Sequence, residues 1–364
     1  MNENNINGVS IIVCCHNSAA RLPETIRHLA LQHFPSVINA EVIIVDNNSS
    51  DNTAAVAKKE WQKYNLSIPL SVIHENQQGL WFAKQAGAAA AQYAVLIFCD
   101  DDNWLRQDYI SVAYSIMQSK KNIGIAGGQS VAAFEISMPP WFNNYQSAYA
   151  VGKQMSSSGY ANERNYLFGA GMIIRKEIFQ QLHEVPHQLL LSGRVGKQLL
   201  SGEDSELCLL VKYMGYDLYY DERLQFTHYI TASRLQWRYC VKLLCQGLAY
   251  PQIYFAMYDY CFKTLRKNEQ PVFENLYKWN RRKQLRLLLN EWRGFKNFFA
   301  GIAAITFSKP GNDKEIRIKK PFYKLLYMMR NKQKLKTDFA AIHNAVIKIE
   351  KSSSLDKLQY RQYQ

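Results

Sequence analysis

The chain has 364 residues, of which 48% are hydrophobic and 20% are charged. This is enough apolar material for one large domain or two moderate ones, which excludes a disordered chain and a small disulfide-rich scaffold. Seven cysteines, an odd number without a C-x-x-C pair, and a polar beginning without an apolar signal segment predict a reducing, cytoplasmic environment. No stretch approaches the roughly 20 apolar residues of a membrane span, so a transmembrane protein is not expected.

Charge is divided unevenly along the chain, whose formal total is +14. Residues 1–230 hold 17 Lys and Arg against 21 Asp and Glu, a net of −4, whereas residues 231–364 hold 27 against 9, a net of +18. We therefore expect a catalytic domain over residues 1–230. A basic, mainly helical region would follow over residues 231–364 and meet an anionic surface, either nucleic acid or lipid headgroups.

The first 130 residues alternate short apolar runs with amphipathic ones. Strands are predicted over residues 9–15, 41–45, 70–74 and 93–99, and helices over 22–32, from a cap at 51–52 to about 64, and over 79–91. This rhythm predicts an α/β fold with a Rossmann-like, mostly parallel sheet flanked by helices on both faces. Residues 131–230 are predicted to be loop-rich and to end in a late strand over 216–220.

Three of the predicted strands end in polar residues, at the edge where parallel sheets bind ligands. The sharpest signal is Asp100-Asp101-Asp102, because adjacent carboxylates raise one another's pKa unless a cation or hydrogen-bond donors neutralise them. A divalent cation held partly by diphosphate oxygens would supply that neutralisation. The alternative is a solvated acidic turn that caps a helix near Asp108.

A second acidic motif, Ser201-Gly-Glu-Asp-Ser-Glu206, precedes an apolar helical run. A carboxylate at this position can simply cap the helix, since the free N–H groups and the helix dipole stabilise an anion there. Together with the upstream aspartates, Asp204 instead suits a general base that deprotonates a hydroxyl nucleophile.

Five segments within residues 8–230 share the order and spacing of a known family. They are Val9-Ser-Ile-Ile-Val-Cys-Cys-His-Asn17, the segments 43–53 and 79–87, the acidic triple, and Gly202-Glu-Asp-Ser-Glu-Leu207. They resemble family 2 glycosyltransferases with the GT-A fold. The resemblance implies transfer of a sugar from a nucleotide diphosphate sugar, with inversion and usually with Mg²⁺ or Mn²⁺, in the assembly of a surface polysaccharide such as a capsule, exopolysaccharide or lipopolysaccharide.

The resemblance also implies a division of the domain, with residues 8–130 as the nucleotide-sugar-binding half and 131–230 as the acceptor half. In the first half, Asp46 matches the aspartate that contacts the nucleobase. Lys84 stands where the family usually has arginine and would contact the nucleotide, although lysine lacks the planar fork of arginine. In the triple, Asp100 would face the ribose and Asp102 the metal, with Asp101 between them on the nucleotide-sugar side.

In the acceptor half, Asp204 matches the family's catalytic base, and Glu203 and Gly169 would lie on the acceptor side. Trp141 would stack against sugar rings, since aromatic faces suit the apolar faces of carbohydrates, or else pack on the core. His228, expected just after the late strand, is either a second metal ligand or a packed core residue.

Two further basic residues and a helical stripe complete the expectations. Arg194 and Lys197 belong either to a loop that closes over the diphosphate or to a solvated basic turn. Near the end of the chain, apolar residues at helical spacing are surrounded by basic ones; the apolar positions are Leu285, Leu288, Trp292, Phe295, Phe299 and Ile302. This stripe either packs on the catalytic domain or lies on an anionic bilayer, which would make residues 274–336 a peripheral membrane segment.

Three alternatives remain open at this stage. The basic tail could bind nucleic acid, although no zinc spacing, RNP-like strand or glycine-rich KH loop accompanies it. A nucleotidyltransferase would also use paired aspartates, but the first strand-to-helix turn lacks the glycines it needs. An inactive glycosyltransferase-like module is the third alternative. The Gln-x-x-Arg-Trp motif of processive family members is not matched by residues 234–239, so we expect the transfer of single sugars.

Overall fold

The computed structural model describes residues 8–33, 38–184, 189–191, 193, 201–293 and 309–361, and within these ranges it leaves out the side chains of residues 183, 184, 292, 293 and 351–361. The chain opens with the parallel strands β1 Gly8–Cys15, β2 Asn39–Asp46, β3 Leu70–His74 and β4 Val95–Asp100. They lie side by side in the order β3-β2-β1-β4. Their apolar, β-branched residues favour strands buried on both faces.

The second half of the sheet is mixed in direction. It consists of β5 Asn103–Leu105, β6 Ile123–Phe134, β7 Gly159–Tyr160, β8 Met172–Arg175 and β9 Asp217–Ile230. Strand β8 is antiparallel to both β4 and β6, β6 and β9 are parallel, and β5 and β7 pair antiparallel with β9. The described residues thus form one nine-stranded sheet in which six strands run in the same direction, and the predicted fold class is confirmed.

Helices flank this sheet and continue beyond it. Those of the first part are α1 Leu22–Ala30, α2 Thr53–Gln62, α3 Leu80–Ala90, α4 Tyr109–Ser119, α5 Lys176–Glu184 and α6 Glu203–Tyr213. Those of the basic region are α7 Trp237–Lys242, α8 Pro251–Leu265, α9 Phe273–Arg293, α10 Asp313–Arg330 and α11 Lys332–Arg361. Among the helices described, none combines the length and the apolar character needed to cross a bilayer.

Residues 131–230 are more regular than the sequence suggested. The late strand does not end near residue 220 but continues as β9 to Ile230, because it is paired with β6 on one side and with β5 and β7 on the other. His228 therefore lies within the strand, opposite Asn103 of β5, and not after it. The prediction of a loop-rich block was wrong in this respect.

The side chains of β1 alternate between two apolar clusters on opposite faces of the sheet. Ile11 and Val13 belong to a cluster with α1, α2 and α4, whereas Ile12 belongs to a cluster with α3, α5 and α6. The second cluster also includes Met257 of α8 and Ile342 of α11. The hydrophobic core is therefore continuous across residue 230.

Candidate active site

A cavity of about 650 Å³ opens where strands β1 and β4 end. The loop after β1, the acidic residues after β4, the first turn of α6 and the segment between α7 and α8 line it. Eight of the predicted site residues converge on this cavity; they are Lys84, Asp100, Asp101, Asp102, Gly169, Glu203, Asp204 and His228. They come from distant parts of the sequence, and the sheet brings them to one edge.

Asp204 lies in the first turn of α6, and two backbone N–H groups hold its carboxylate. Ser205 donates to Oδ1 at 2.7 Å and Gly169 donates to Oδ2 at 2.8 Å. A Cβ atom on residue 169 would lie 2.9 Å from the Cβ of Asp204, so this approach requires glycine. Burial, and then the charge of Glu203, raise the pKa of Asp204 to about 6, while Lys84 acts in the opposite direction. A carboxyl group with such a pKa suits a general base near neutral pH.

Lys84 and Glu203 form a buried ion pair beside Asp204. The Nζ atom of Lys84, on α3, lies 3.5 Å from Oε1 of Glu203, and the side chains of both residues are almost fully buried. Burial disfavours the charge of Lys84, but Glu203 and Asp100 outweigh it, and the pKa of Lys84 is raised. Lys84 thus lines the cavity as a charged residue, and its ion-pair partner Glu203 is also buried.

The middle aspartate of the triple is held by residues that follow β1. Oδ2 of Asp101 accepts hydrogen bonds from Ser18 and, at 2.5 Å, from the Arg21 guanidinium. Its backbone carbonyl accepts the hydroxyl of Thr25 at 2.8 Å. Burial and the neighbouring Asp102 raise the pKa of Asp101 to about 6 despite Arg21. Arg21 was not predicted from the sequence, in which its position just after a polar strand end is the only indication of such a role.

Asp102 and His228 lie side by side, together with an arginine that the sequence analysis did not single out. Nε2 of His228 is 3.4 Å from Oδ1 of Asp102. Nη1 of Arg234 is 2.9 Å from Oδ2 of Asp102 and 3.4 Å from Nε2 of His228. Asn103 donates to Oδ1 of Asp102 at 3.1 Å. Arg234 follows His228 by six residues, across the end of β9, and this spacing alone does not predict that the two side chains meet.

These residues fit a divalent cation in part. In the portion of the chain that the structure describes, no three His, Cys, Asp or Glu side chains converge as a metal cluster. A carboxylate oxygen of Asp102 and the imidazole of His228 nevertheless lie close enough to bind one ion together. Metal sites that involve phosphates often use only one or two protein ligands, with phosphate oxygens and water completing the set. The pair could thus hold Mg²⁺ or Mn²⁺ with a diphosphate.

Asp46 ends β2 next to two residues that line the cavity, Cys15 on β1 and Asn47 in the chain, but it is not itself a lining residue. Its carboxylate accepts the N–H of Ser49 at 3.1 Å and lies 3.4 Å from Nδ1 of His74. The next residue, Asn47, orders the neighbouring loops, because its side chain accepts the N–H of Gly79 at 2.7 Å and donates to the carbonyl of Gln77 at 2.7 Å. Asn47 lines the cavity and was not predicted.

The remaining predicted residues are Trp141, Arg194 and Lys197. Trp141 is only 7% exposed and packs in an aromatic cluster against Trp237 and Tyr145, so its ring is not among the lining residues. Arg194 and Lys197 lie outside the described residues.

Comparison with known proteins identifies the class. Residues 10–182 match the family described as Glycosyl transferase family 2. Glycosyltransferase AglE of Haloferax volcanii is 24% identical over 188 residues, which are 51% of this chain and 59% of AglE. Putative glycosyltransferase EpsH of Bacillus subtilis is 31% identical over 101 residues, 28% of each chain. The solved structure of mannosyltransferase PcManGT from Pyrobaculum calidifontis, in complex with GDP-Man and Mn²⁺, has a TM-score of 0.48 and 16% identity over 94% of this chain and 86% of that chain.

The family match places residues 10–182 in glycosyltransferase family 2. Within residues 10–182, the family predicted from the motifs is confirmed. The matched region spans less than two thirds of the length of both sequence relatives.

Proposed function

We propose that this protein transfers one sugar from a nucleotide diphosphate sugar to a hydroxyl group of a glycan or lipid-linked glycan, with inversion at the anomeric carbon. The observation that carries the proposal is the position of Asp204, whose carboxylate lines the same cavity as Asp100, Asp102 and His228. A base and a diphosphate-binding set that line one cavity are what an in-line displacement requires.

In the proposed reaction the acceptor oxygen forms a bond to the anomeric carbon as the bond from that carbon to the diphosphate oxygen breaks. The bonding electrons leave with the diphosphate, and the hydroxyl proton passes to Asp204. The N–H groups of Gly169 and Ser205 orient the carboxylate for this transfer. No covalent enzyme intermediate is required, because a single displacement inverts the centre.

On the donor side, Asp46 is proposed to contact the nucleobase and Asp100 the ribose. Asp102 and His228 would hold Mg²⁺ or Mn²⁺, which when bound offsets the negative charge on the leaving diphosphate. Lys84 adds a positive charge beside Glu203 in the wall of the cavity, in accord with a role near the diphosphate.

The acceptor side of the cavity has an apolar wall. Leu243 and Leu244 of a π-helical turn after α7, together with Leu248 and Phe255, line it. π-helical turns within helices often occur at functional sites. An apolar wall next to the catalytic base supports an acceptor with an apolar part, as in a lipid-linked glycan of surface polysaccharide assembly.

We further propose that the basic region brings the enzyme to an anionic membrane surface on the cytoplasmic side. On α9, Trp279, Leu285 and Leu289 are 56%, 40% and 57% exposed, and Arg281, Arg282, Lys283 and Arg286 are exposed among them. Leu288 of the predicted stripe is half-buried, whereas the side chains at 292, 295, 299 and 302 lie outside the described residues.

A second observation supports an anionic partner for this face. The pKa of Lys324 on α10 is lowered to about 8 by burial and by the positive charges of Lys320 and Lys283. Like charges held this close stabilise a bound anion, because an anion relieves their mutual repulsion.

The test is binding and turnover of UDP-, GDP- and dTDP-sugars with and without Mn²⁺, in the wild type and in Asp102→Ala and Asp204→Asn. We expect metal-dependent turnover of one donor, loss of donor binding in Asp102→Ala, and retained binding with transfer reduced at least about 100-fold in Asp204→Asn. Asp259→Asn, which removes an exposed carboxylate on α8, is the matched control and should behave as the wild type. Failure of every nucleotide sugar to bind would refute the proposal.

A further inference from the structure

A positive charge of the protein itself lies where the two proposed metal ligands meet. Nη1 of Arg234 is within 2.9 Å of Asp102 and 3.4 Å of His228, and these two side chains are 3.4 Å apart. The arginine side chain is 12% exposed, and it lines the cavity. An ion bonded at about 2.1 Å to His228 would lie within about 5.5 Å of this Nη1 atom, where two positive charges repel strongly.

The backbone directs Arg234 into this position. Strand β9 ends at Ile230, and a 3₁₀ turn follows over Ala232–Leu235, in which the N–H of Arg234 donates to the carbonyl of Thr231 at 2.9 Å. The turn brings residue 234 back alongside residue 228 of the strand. The buried charge of Asp102 is thereby compensated without a metal ion.

The contacts of this guanidinium group are incomplete. Its Nε atom is buried and has no hydrogen-bond partner within the described part of the chain, although Nη1 is bound to Asp102. The guanidinium group also has a hydrogen bond with the side chain of Tyr239, but a buried donor without a partner is costly. Diphosphate oxygens accept hydrogen bonds from a planar guanidinium group in pairs and would give this Nε atom a partner.

We propose that Arg234 is the counter-cation of the Asp102–His228 pair before a divalent ion binds, and that it releases Asp102 and turns to the donor diphosphate when the ion enters. This inference rests on the proposed function. It makes Arg234 a residue that couples metal binding to donor binding. A free divalent ion must compete with the arginine for Asp102, whereas an ion that arrives with a diphosphate gives the displaced arginine a new anionic partner. The coupling must be reciprocal, so the ion and the nucleotide each strengthen the binding of the other.

The test measures free Mn²⁺ by electron paramagnetic resonance while the full-length protein is titrated with Mn²⁺ alone, and again in the presence of UDP or GDP. We expect the wild type to bind Mn²⁺ at least about tenfold more tightly with one of these nucleotides. Arg234→Gln should bind Mn²⁺ alone about tenfold more tightly than the wild type does, because the competing charge is gone. It should also lose most of the strengthening by the nucleotide.

Two matched variants separate this role from a structural one. Arg234→Lys keeps the charge and should leave the affinity for Mn²⁺ alone near that of the wild type. Arg21→Gln removes a guanidinium group that lies 2.5 Å from the neighbouring Asp101 and should not tighten Mn²⁺ binding. Weaker or unchanged binding of Mn²⁺ alone by folded Arg234→Gln would overturn the inference. If that variant does not fold, the absence of nucleotide-dependent strengthening in the wild type would overturn it equally.

The outcomes also distinguish the inference from the proposed function. A wild type that binds Mn²⁺ with UDP or GDP, beside an Arg234→Gln variant that responds in the same way, would refute only the role of Arg234. A wild type that binds neither nucleotide, with or without Mn²⁺, would refute the proposed donor site itself.

Discussion

Asp204 has two charged neighbours that act on its pKa in opposite directions. Burial is the largest cause of the increase to about 6, Glu203 adds to it, and Lys84 opposes it. Because a general base must be deprotonated before the acceptor hydroxyl reacts, activity should fall as the pH drops through the pKa of Asp204. The acidic inflection of the pH profile, at which half of the activity is lost, should therefore lie near pH 6.

Substitution of Glu203 and substitution of Lys84 should shift this acidic inflection in opposite directions. Glu203→Gln removes a negative charge and should lower the pKa of Asp204, so activity persists to a pH lower by about one unit. Lys84→Met removes a positive charge, and activity should then be lost at a higher pH. The measurement is kcat/KM between pH 4.5 and 8.5 with a saturating concentration of Mn²⁺.

The same pair of variants identifies the titrating group. Asp101 also has a pKa raised to about 6, but its charged neighbours are Asp102 and Arg21. If substitution of Glu203 and Lys84 shifts the acidic inflection, the group that titrates there is Asp204 and not Asp101. Profiles that coincide in the wild type and both variants would show that Asp204 is not the base.

Individual site residues differ in how far the sequence predicted them. The acidic triple and Asp204 were predictable, because each stands in a short motif whose charges require a partner. Arg21 and Arg234 were not, because they meet their aspartates across 80 and 132 residues of sequence, and only the folded sheet brings them together. His74, which lies close to Asp46, was missed for the same reason.

At the scale of elements, helix α6 is anchored to the basic region by one buried carboxylate. Glu206 is fully buried and accepts hydrogen bonds from the N–H groups of Leu190 and Leu191, at 3.1 and 2.8 Å. The hydroxyl of Tyr258 on α8 donates to the same carboxylate at 2.5 Å. The helix that carries Asp204 is thus tied to a helix that follows residue 230.

Removing the Tyr258 hydroxyl should weaken this connection without creating a large cavity. In Tyr258→Phe the buried carboxylate loses one donor, and a hydrogen bond to a charged group contributes about 2 kcal/mol. We expect the free energy of unfolding to decrease by about that amount in urea titration. Tyr260→Phe on the same helix is the control, since its hydroxyl is only a 3.4 Å acceptor for an exposed N–H. Equal losses in the two variants would contradict the anchoring role.

The elements themselves were predictable where their pattern was strong. The first four strands and three helices lie within about two residues of the sequence prediction, because continuous apolar runs and helical spacing define them. Strand β9 was predicted too short. Residues 221–223 are charged and interrupt the apolar pattern, and the alternation of apolar and polar residues that resumes at Leu224 was not recognised as part of the same strand.

At the scale of the whole molecule, the basic region is both part of the core and a charged surface. Tyr254 and Met257 of α8 and Phe339 of α11 lie in the same apolar cluster as the sheet residue Phe98. A truncation before these helices would expose that cluster and destabilise the fold. Membrane binding is therefore better tested by removing surface charge than by removing helices.

The exposed face of α9 offers such a test. Each basic residue near an anionic bilayer contributes about 1 kcal/mol, so neutralising three of them should weaken binding roughly 100-fold. The measurement is co-sedimentation with vesicles prepared with about 30% phosphatidylserine. We expect the triple variant Arg281→Gln, Arg282→Gln and Arg286→Gln to lose most of its binding to them. Wild-type binding itself should fall as salt rises from about 0.1 to 0.5 M, because counter-ions screen these charges.

A control must remove the same charge from another place. Lys58, Lys59 and Lys121 are exposed within the first 230 residues, and changing all three to Gln lowers the net charge by the same three units. If the basic face acts as a local contact, this control sediments like the wild type. If both triple variants lose binding equally, the attraction depends only on net charge and α9 is no docking face. If neither loses binding, the basic residues of α9 do not carry the attraction, and the proposed contact is refuted.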